Sequence, residues 1–361
     1  MDIYAAALSG CPRLGAKYIR SLLEVFDTPK DLWQAPDRDI HEAKILPPKT
    51  ESAFLSYRKK VDPEVIGEKL YTLQIRCSLW EDDAYPPLLR NTANPPAILF
   101  YKGAVPDWDK TIAMVGSRKA TSYGLETAYH IAKGLGEAKV TVVSGGARGI
   151  DSASHKGALD AHGTTAIVLA CGLDKVYPPE NKYLFQQVVQ EGGTLISEYP
   201  PGTPPLGRQF PARNRIIAGM SRGTLVVEAA ERSGSLITSD FAIEEGRDVF
   251  SVPGSIWLPS CKGTNGLLRQ GAICCTETKD ILSEYGWDQK ETVRTKKFQE
   301  PLTLEEELIY TYCHTEKEIT SEDILQQSGF SLVKLTMILL QLQLKGYIKE
   351  VGNGRYIVVA P

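Results

Sequence analysis

The chain has 361 residues, 41 Lys and Arg against 44 Asp and Glu, and a formal net charge of −3. It holds no run of about eighteen apolar residues, so no membrane span is expected, and Met1-Asp2-Ile3-Tyr4 opens no basic-then-apolar leader, so secretion is not expected either. Seven dispersed cysteines without a C-x-x-C pair, and five histidines without metal-ligand spacing, point to reduced thiols in the cytoplasm and to no metal site.

Basic and acidic side chains balance along the chain: 14 and 14 in residues 1–106, 18 and 19 in 107–286, 5 and 8 in 303–361. A nucleic acid would have to be held by a local patch and not by a global field. Residues 1–70 read as all-helical. Leu14, Tyr18, Ile19, Leu22 and Leu23 keep helical spacing after a turn running from Gly10 to Gly15. This suits a small SAM-like or helix-hairpin-helix-like domain, whose turn amides can meet a phosphate, or a plain helix hairpin that packs on its neighbour. The prolines of 71–106 favour extended chain, and this stretch reads as a connector with an edge strand.

From 107 to 286 the pattern alternates. Strands are expected near 112–115, 140–143, 165–170, 194–197, 224–227 and 249–252, with helices near 123–137, 150–162, 182–190 and 235–245. Short, continuously apolar strands between helices imply an α/β domain with an extended Rossmann-like parallel sheet, and ligands of such sheets sit at the carboxyl ends of strands. Residues 287–302 are polar and non-periodic, a linker. Residues 303–361 show helices near 304–313, 320–328 and 332–345, then alternating apolar residues around Asn353-Gly354, a hairpin signal. Three helices and a hairpin make a winged helix. Its third helix carries only Lys334 and Lys345, so a protein-interaction or packing role stands beside DNA binding.

The glycine-rich turns of the central block all fall after predicted strands. Gly116-Ser117-Arg118 supplies close backbone approach, a hydroxyl and a planar cationic fork suited to phosphate; a surface ion pair is the other use of such an arginine. Ser122-Tyr123-Gly124 opens the next helix, with Ser122 the candidate N-cap. Gly145 and Gly146 form a second anion-friendly turn, and Arg213 and Asn214 open a helix after a proline-rich loop containing Arg208 and Phe210. Phe210 either stacks on a base or fills the core. Glu228, at a strand end, is expected to orient an arginine such as Arg213. A Walker A loop and a Gly-x-Gly-x-x-Gly fingerprint are both absent. No nucleophile or histidine stands beside Glu228, so no catalytic residue and no cofactor are assigned.

Together these residues resemble the DNA-processing protein family known as DprA or Smf. The resemblance rests on Gly116-Ser117-Arg118 with Ser122-Tyr123-Gly124, Ser144-Gly145-Gly146-Ala147 with Gly149-Ile150-Asp151, and Ser197-Glu198-Tyr199-Pro200-Pro201-Gly202. It continues in Pro211-Ala212-Arg213-Asn214-Arg215-Ile216-Ile217-Ala218, Val226-Val227-Glu228-Ala229 with Ser233-Gly234-Ser235, Gly246-Arg247, Val252-Pro253-Gly254 and Gly263-Thr264-Asn265. It implies a non-enzymatic protein that binds single-stranded DNA, protects it during natural transformation, loads the RecA recombinase and forms a homodimer through the central domain. The implied phosphate pocket is Gly116, Ser117, Arg118, Ser122, Tyr123, Gly124, Gly145, Gly146, Arg213 and Asn214, with Arg208 and Phe210 beside it. Two lysines common in the family are replaced by Pro179 and Pro204, and Lys175, Lys182 or Arg208 are candidates to substitute. A phosphoribohydrolase-like enzyme and a nucleotide-sensing adaptor are the alternatives; the first lacks its Pro-Gly-Gly-x-Gly-Thr motif.

Overall fold

The computed structural model describes residues 2–288, 302–315, 319–345, 347–352 and 354–358. The chain divides into two compact units, Met1–Asp288 and Gln289–Pro361. Residues 289–301 of the expected linker, and Asn353 of the expected hairpin turn, lie outside the described residues.

The first unit opens with six helices: α1 (Ile3–Ser9), α2 (Ala16–Leu23), α3 (Pro29–Gln34), α4 (Asp37–Glu42), α5 (Pro48–Arg58) and α6 (Pro63–Thr72). Local chemistry sets their starts. The side chains of Asp2, Thr28 and Asp62 accept backbone N–H groups at the ends of α1, α3 and α6, and Pro29, Pro48 and Pro63 stand in first turns where a missing N–H costs nothing. Leu8, Leu22, Leu32, Ile40, Phe54 and Leu70 are buried in a core that continues into Ile98, Phe100, Ile167 and Leu195 of the sheet, so these helices share their core with the α/β block.

The sheet has nine strands: β1 (Arg76–Leu79), β2 (Ile98–Gly103), β3 (Thr111–Val115), β4 (Thr141–Ser144), β5 (Thr165–Leu169), β6 (Thr194–Ser197), β7 (Gly223–Val226), β8 (Asp248–Ser251) and β9 (Ile273–Cys274). Their order is β1-β2-β6-β5-β4-β3-β7-β8-β9. Strands β3 to β9 run parallel, while β2 pairs antiparallel with β6 and β1 with β2. The 76–103 stretch thus supplies two strands, β1 at the edge and β2 inside the sheet. The intervening helices are α7 (Pro87–Arg90), α8 (Ser122–Glu137), α9 (Ile150–Asp160), α10 (Lys182–Gln190), α11 (Gln209–Gly219), α12 (Leu236–Glu244), α13 (Lys262–Arg269) and α14 (Thr278–Glu284). Strand side chains alternate between the layers as the pleat requires. Ile112, Met114, Val142 and Leu225 pack with Ala128, Ile131 and Leu135 of α8, whereas Ala113, Val115, Val143 and Val226 pack with Ile216 and Ile217 of α11.

The second unit holds α15 (Leu304–Thr315), β10 (Ile319–Thr320), α16 (Ser321–Ser328), α17 (Leu332–Leu344), β11 (Ile348–Gly352) and β12 (Arg355–Val358), with antiparallel strands in the order β10-β12-β11. This is the element order of a winged helix, closed over Ile309, Ile324, Leu335, Leu339, Leu342 and Ile348. Among the described residues no helix is long and apolar enough to cross a membrane.

Candidate functional site

The strand order reverses direction at β3. The connection through α8 leads to β4 on one side, while β7 lies on the other. Such a switch point opens a crevice at the carboxyl ends of the two central strands. Here it is a cleft of about 510 Å³, lined by Gly116, Ser117 and Arg118 after β3, Phe210, Arg213 and Asn214 of α11, and the 233–235 turn after β7. The sequence-predicted turns after β3 and at α11 therefore meet in one place.

The loop after β3 is held by its neighbours through the backbone. Ser117 N–H donates to the Glu228 carbonyl at 2.7 Å, and Ile150 N–H donates to the Ser117 carbonyl at 3.2 Å. The approach is close enough to demand glycine. A Cβ on Gly116 would stand 2.6 Å from Ile150 Cγ1 and 2.9 Å from the Glu228 carbonyl oxygen, and one on Gly149, whose φ is +75°, would stand 2.2 Å from the Ser117 carbonyl oxygen. The Ser117 hydroxyl accepts Lys119 N–H at 3.1 Å and tightens the turn.

Two arginines meet this cleft in opposite states. Arg118 is exposed, and among the described residues no carboxylate lies within ion-pair distance of it. Its guanidinium sits 5.5 Å from the centre of the half-buried Phe210 ring, and Tyr177 packs on the same ring at 5.4 Å, inclined by 56°. Phe210 is therefore neither a core residue nor a free platform: it is the middle of a cation–aromatic–aromatic ladder. Tyr177 was not among the expected site residues. Its signal was position, an aromatic in the loop that follows β5, at the same sheet end as the glycine turns.

Arg213 is 4 % exposed. Its Nη1 donates to the Gly145 carbonyl at 2.8 Å and to the Val168 carbonyl, and its Nε donates to Asn214 Oδ1 at 3.3 Å. Burial lowers its pKa to about 10; neighbouring Asp151 opposes that shift and the positive field of Arg118 adds to it. Gly145 is glycine for this reason, since a Cβ there would stand 2.5 Å from Arg213 Nη2. Asp151, also buried, accepts N–H groups from Gly145 and Ala147, each at 3.2 Å. Burial raises its pKa, against the pull of Arg213 and those two amides. Asn181 completes the turn by donating to the Gly146 carbonyl and to Ser152 Oγ, both at 2.8 Å. Asn214 Nδ2 reaches the Gly234 carbonyl at 3.3 Å and ties α11 to the 233–235 turn.

Three sequence expectations need correction. Arg213 and Asn214 do not open a helix: α11 begins at Gln209, and both lie in its second turn. Glu228 does not orient Arg213. Its carboxylate, 1 % exposed, accepts Thr121 N–H at 3.2 and 3.1 Å, and Thr121 Oγ1 donates to it as well. The N-cap of α8 is accordingly Thr121 and not Ser122: Thr121 Oγ1 accepts Gly124 N–H at 3.1 Å, and Gly124 leaves room for a carboxylate that a Cβ would approach to 2.6 Å. Sequence spacing could not separate adjacent Thr and Ser, because the choice is made by a carboxylate 107 residues away. Ser122 and Tyr123 are exposed, and Tyr123 Oη lies 3.4 Å from the Pro253 carbonyl oxygen.

None of the candidate basic substitutes lines the cleft. Arg208 and Lys182 are exposed without an ion pair among the described residues, while Lys175 stands 3.7 Å from the Asp174 carboxylate. Pro179 opens a short 3-10 turn, Pro179–Asn181, and Pro204 is exposed in the loop before α11. No cluster of three or more His, Cys, Asp or Glu side chains placed to hold a metal occurs among the described residues.

A family model described as DNA recombination-mediator protein A matches residues 76–286. Protein Smf of Escherichia coli is 37% identical over 280 residues, 76% of this chain and 75% of that protein. DNA processing protein DprA of Streptococcus pneumoniae is 46% identical over 206 residues, 56% of this chain and 72% of that protein. Among solved structures, the X-ray structure of DNA processing protein A from Streptococcus pneumoniae is similar with a TM-score of 0.68 at 36% identity, covering 79% of this chain and 98% of that one. DNA processing protein A from Helicobacter pylori, described for its single-stranded DNA binding mode, gives 0.53 at 27% identity, covering 59% and 97%.

Proposed function

The chain belongs to the DNA recombination-mediator protein A family, and from that premise we propose that its switch-point cleft grips the backbone of single-stranded DNA. In this reading the protein shields the strand and delivers it to the RecA recombinase in the cytoplasm, acting as a homodimer paired through the central unit. It does no chemistry on the DNA.

The observation that carries the reading is Arg118: a planar cation without a carboxylate partner among the described residues, held at a rigid loop and laid on an aromatic ring. Such a fork offers two parallel donors to a phosphate, and the Phe210–Tyr177 pair beside it offers an apolar face to a base or sugar. The same site gives little to catalysis. Glu228 is spent on Thr121 and Asp151 on two amides, and His155 is fully buried against Thr165. A general acid or base must reach the proton it moves, and none of these groups is free to do so. With net charge −3, the chain would bind through local cations and not a global field, so affinity should fall with salt by about 0.7 in the logarithmic slope per phosphate held.

The test is a comparison of ligands on the full chain. Fluorescence anisotropy with a single strand of about 20 nucleotides, beside calorimetry with nucleoside mono- and dinucleotides, should show saturable strand binding and no comparable nucleotide binding. Selective binding of a small nucleotide, with none of the strand, would overturn the proposal in favour of a sensing role.

A further inference from the structure

Arg118 and Lys119 belong to two cavities. Besides the switch-point cleft they border a second groove of about 630 Å³, between α8 and α9, lined also by Ser122, Leu125, Tyr129, Ser152 and Lys156. Lys119 and Lys156 are exposed, and neither has a carboxylate within ion-pair distance among the described residues. Ala120, Gly149 and Ala153 add only small side chains, while Leu125 and Tyr129 put apolar surface along the α8 wall. Glu126 also lines the groove, exposed and 3.8 Å from His130, while Asp160 accepts the Tyr129 hydroxyl at 2.7 Å. Farther along, the helices come into backbone contact, since a Cβ on Gly157 would stand 2.2 Å from the Tyr129 carbonyl oxygen. The groove is therefore bounded by that contact, with Arg118 and Lys119 on its border with the cleft.

The cavity on the other flank of the cleft differs in charge. It is bordered by Glu231 and Asp240 as well as Lys262 and Arg269, and offers a polyanion no net attraction. The groove between α8 and α9 instead carries three cations against the carboxylate of Glu126: Arg118 and Lys119 are shared with the cleft, and Lys156 belongs to the groove alone.

We propose that this groove is a second phosphate subsite, into which a single strand continues after crossing the 117–120 loop from the switch-point cleft. The proposal rests on the single-strand reading above and adds the direction of the strand and the residues that receive it. Arg118 takes a phosphate at the crest, Lys119 the crossing, and Lys156 a phosphate within the groove. The side chains of Leu125 and Tyr129 give a sugar or base something to lie against. Each phosphate neutralised by a lysine releases condensed counterions, about 0.7 in the logarithmic salt slope for single strands.

The experiment compares wild type with Lys156→Ala and Lys156→Glu on strands of about 20 and about 4 nucleotides, across a salt series. For the long strand, Lys156→Ala should weaken binding about 3- to 10-fold and flatten the salt slope by about 0.7, and Lys156→Glu should weaken it further. The short strand, which fills the cleft without reaching the groove, should bind both variants within about 2-fold of wild type. Unchanged long-strand affinity and slope in both variants would overturn the subsite. Equal loss for both strands would also overturn it, by placing Lys156 in the cleft's general field. Failure of the wild type to bind the long strand would remove the single-strand reading and the subsite with it. Circular-dichroism melts of the variants should overlay wild type, since Lys156 is exposed.

Discussion

Arg118 and Arg213 look alike in sequence, each expected beside a turn that leads into a helix. The structure gives them opposite work. Arg118 stays exposed with a ring beneath it, while Arg213 is buried with its donors on the Gly145 and Val168 carbonyls and Asp151 as its counter-charge. Replacing Arg213 by Met removes those donors and strands a buried carboxylate, so urea denaturation should show a loss of about 3–5 kcal/mol. Arg118→Ala should stay within about 0.5 kcal/mol of wild type, as exposed changes do. A midpoint for Arg213→Met equal to wild type would show that the cleft's floor does not need its cation. The residue types of the site were legible in the chain; which arginine would be buried was not. Burial was decided by the ends of β4 and β5, strands that approach Arg213 only through the sheet.

At the scale of elements, the alternation of strands and helices from β3 to β8 could be read from periodicity, and α10 spans the residues expected of it, whereas β1, α7, α13, β9 and α14 have no counterpart in that reading. What could not be read was how the loops lock. Glu228 reaches Thr121 across 107 residues, and Gly116 and Gly149 admit backbone contacts between loops that follow different strands. Buried His155 is a further joint, between α9 and the β4–β5 pair. Thr165 Oγ1 donates to the Val142 carbonyl at 2.7 Å, so it accepts from His155 Nδ1–H at 2.7 Å, and His155 Nε2 is left buried without a partner. Burial lowers the His155 pKa to about 3. Unfolding restores an ordinary value near 6.5, so the unfolded chain binds one more proton between about pH 3 and 6.5. Stability is therefore retained above that window and lost as pH falls through it, by about 1.4 kcal/mol per unit from this group. Urea midpoints from pH 7 to 5 should show that slope in wild type and a shallower one in His155→Leu. Equal slopes would assign the acid sensitivity to other groups.

At the scale of the whole molecule, composition offers a polyanion no global field, while topology opens a crevice for a ligand. A net charge of −3 gives no long-range attraction to DNA. The strand order nevertheless gathers the loops after β3 and β7 with the first half of α11 at one switch point, where exposed Arg118 and Lys119 line a common cleft. The six N-terminal helices share a core with that sheet, so they belong to the scaffold that holds the cleft. The winged-helix unit has its own core, and its sequence carries more acid than base, 8 against 5 in residues 303–361. The proposed grip on DNA accordingly falls to the first unit.

The most direct measurement of that claim is the salt dependence of single-strand binding by wild type and Arg118→Ala, on a strand of about 20 nucleotides. Loss of one charge-assisted contact is worth about 2 kcal/mol, so the variant should bind roughly 30-fold more weakly, with a salt slope smaller by about 0.7 and an unchanged melting curve. An Arg118→Ala protein that binds the strand with wild-type affinity and wild-type slope would contradict the account, because the switch-point cleft would then not be where the phosphates are held.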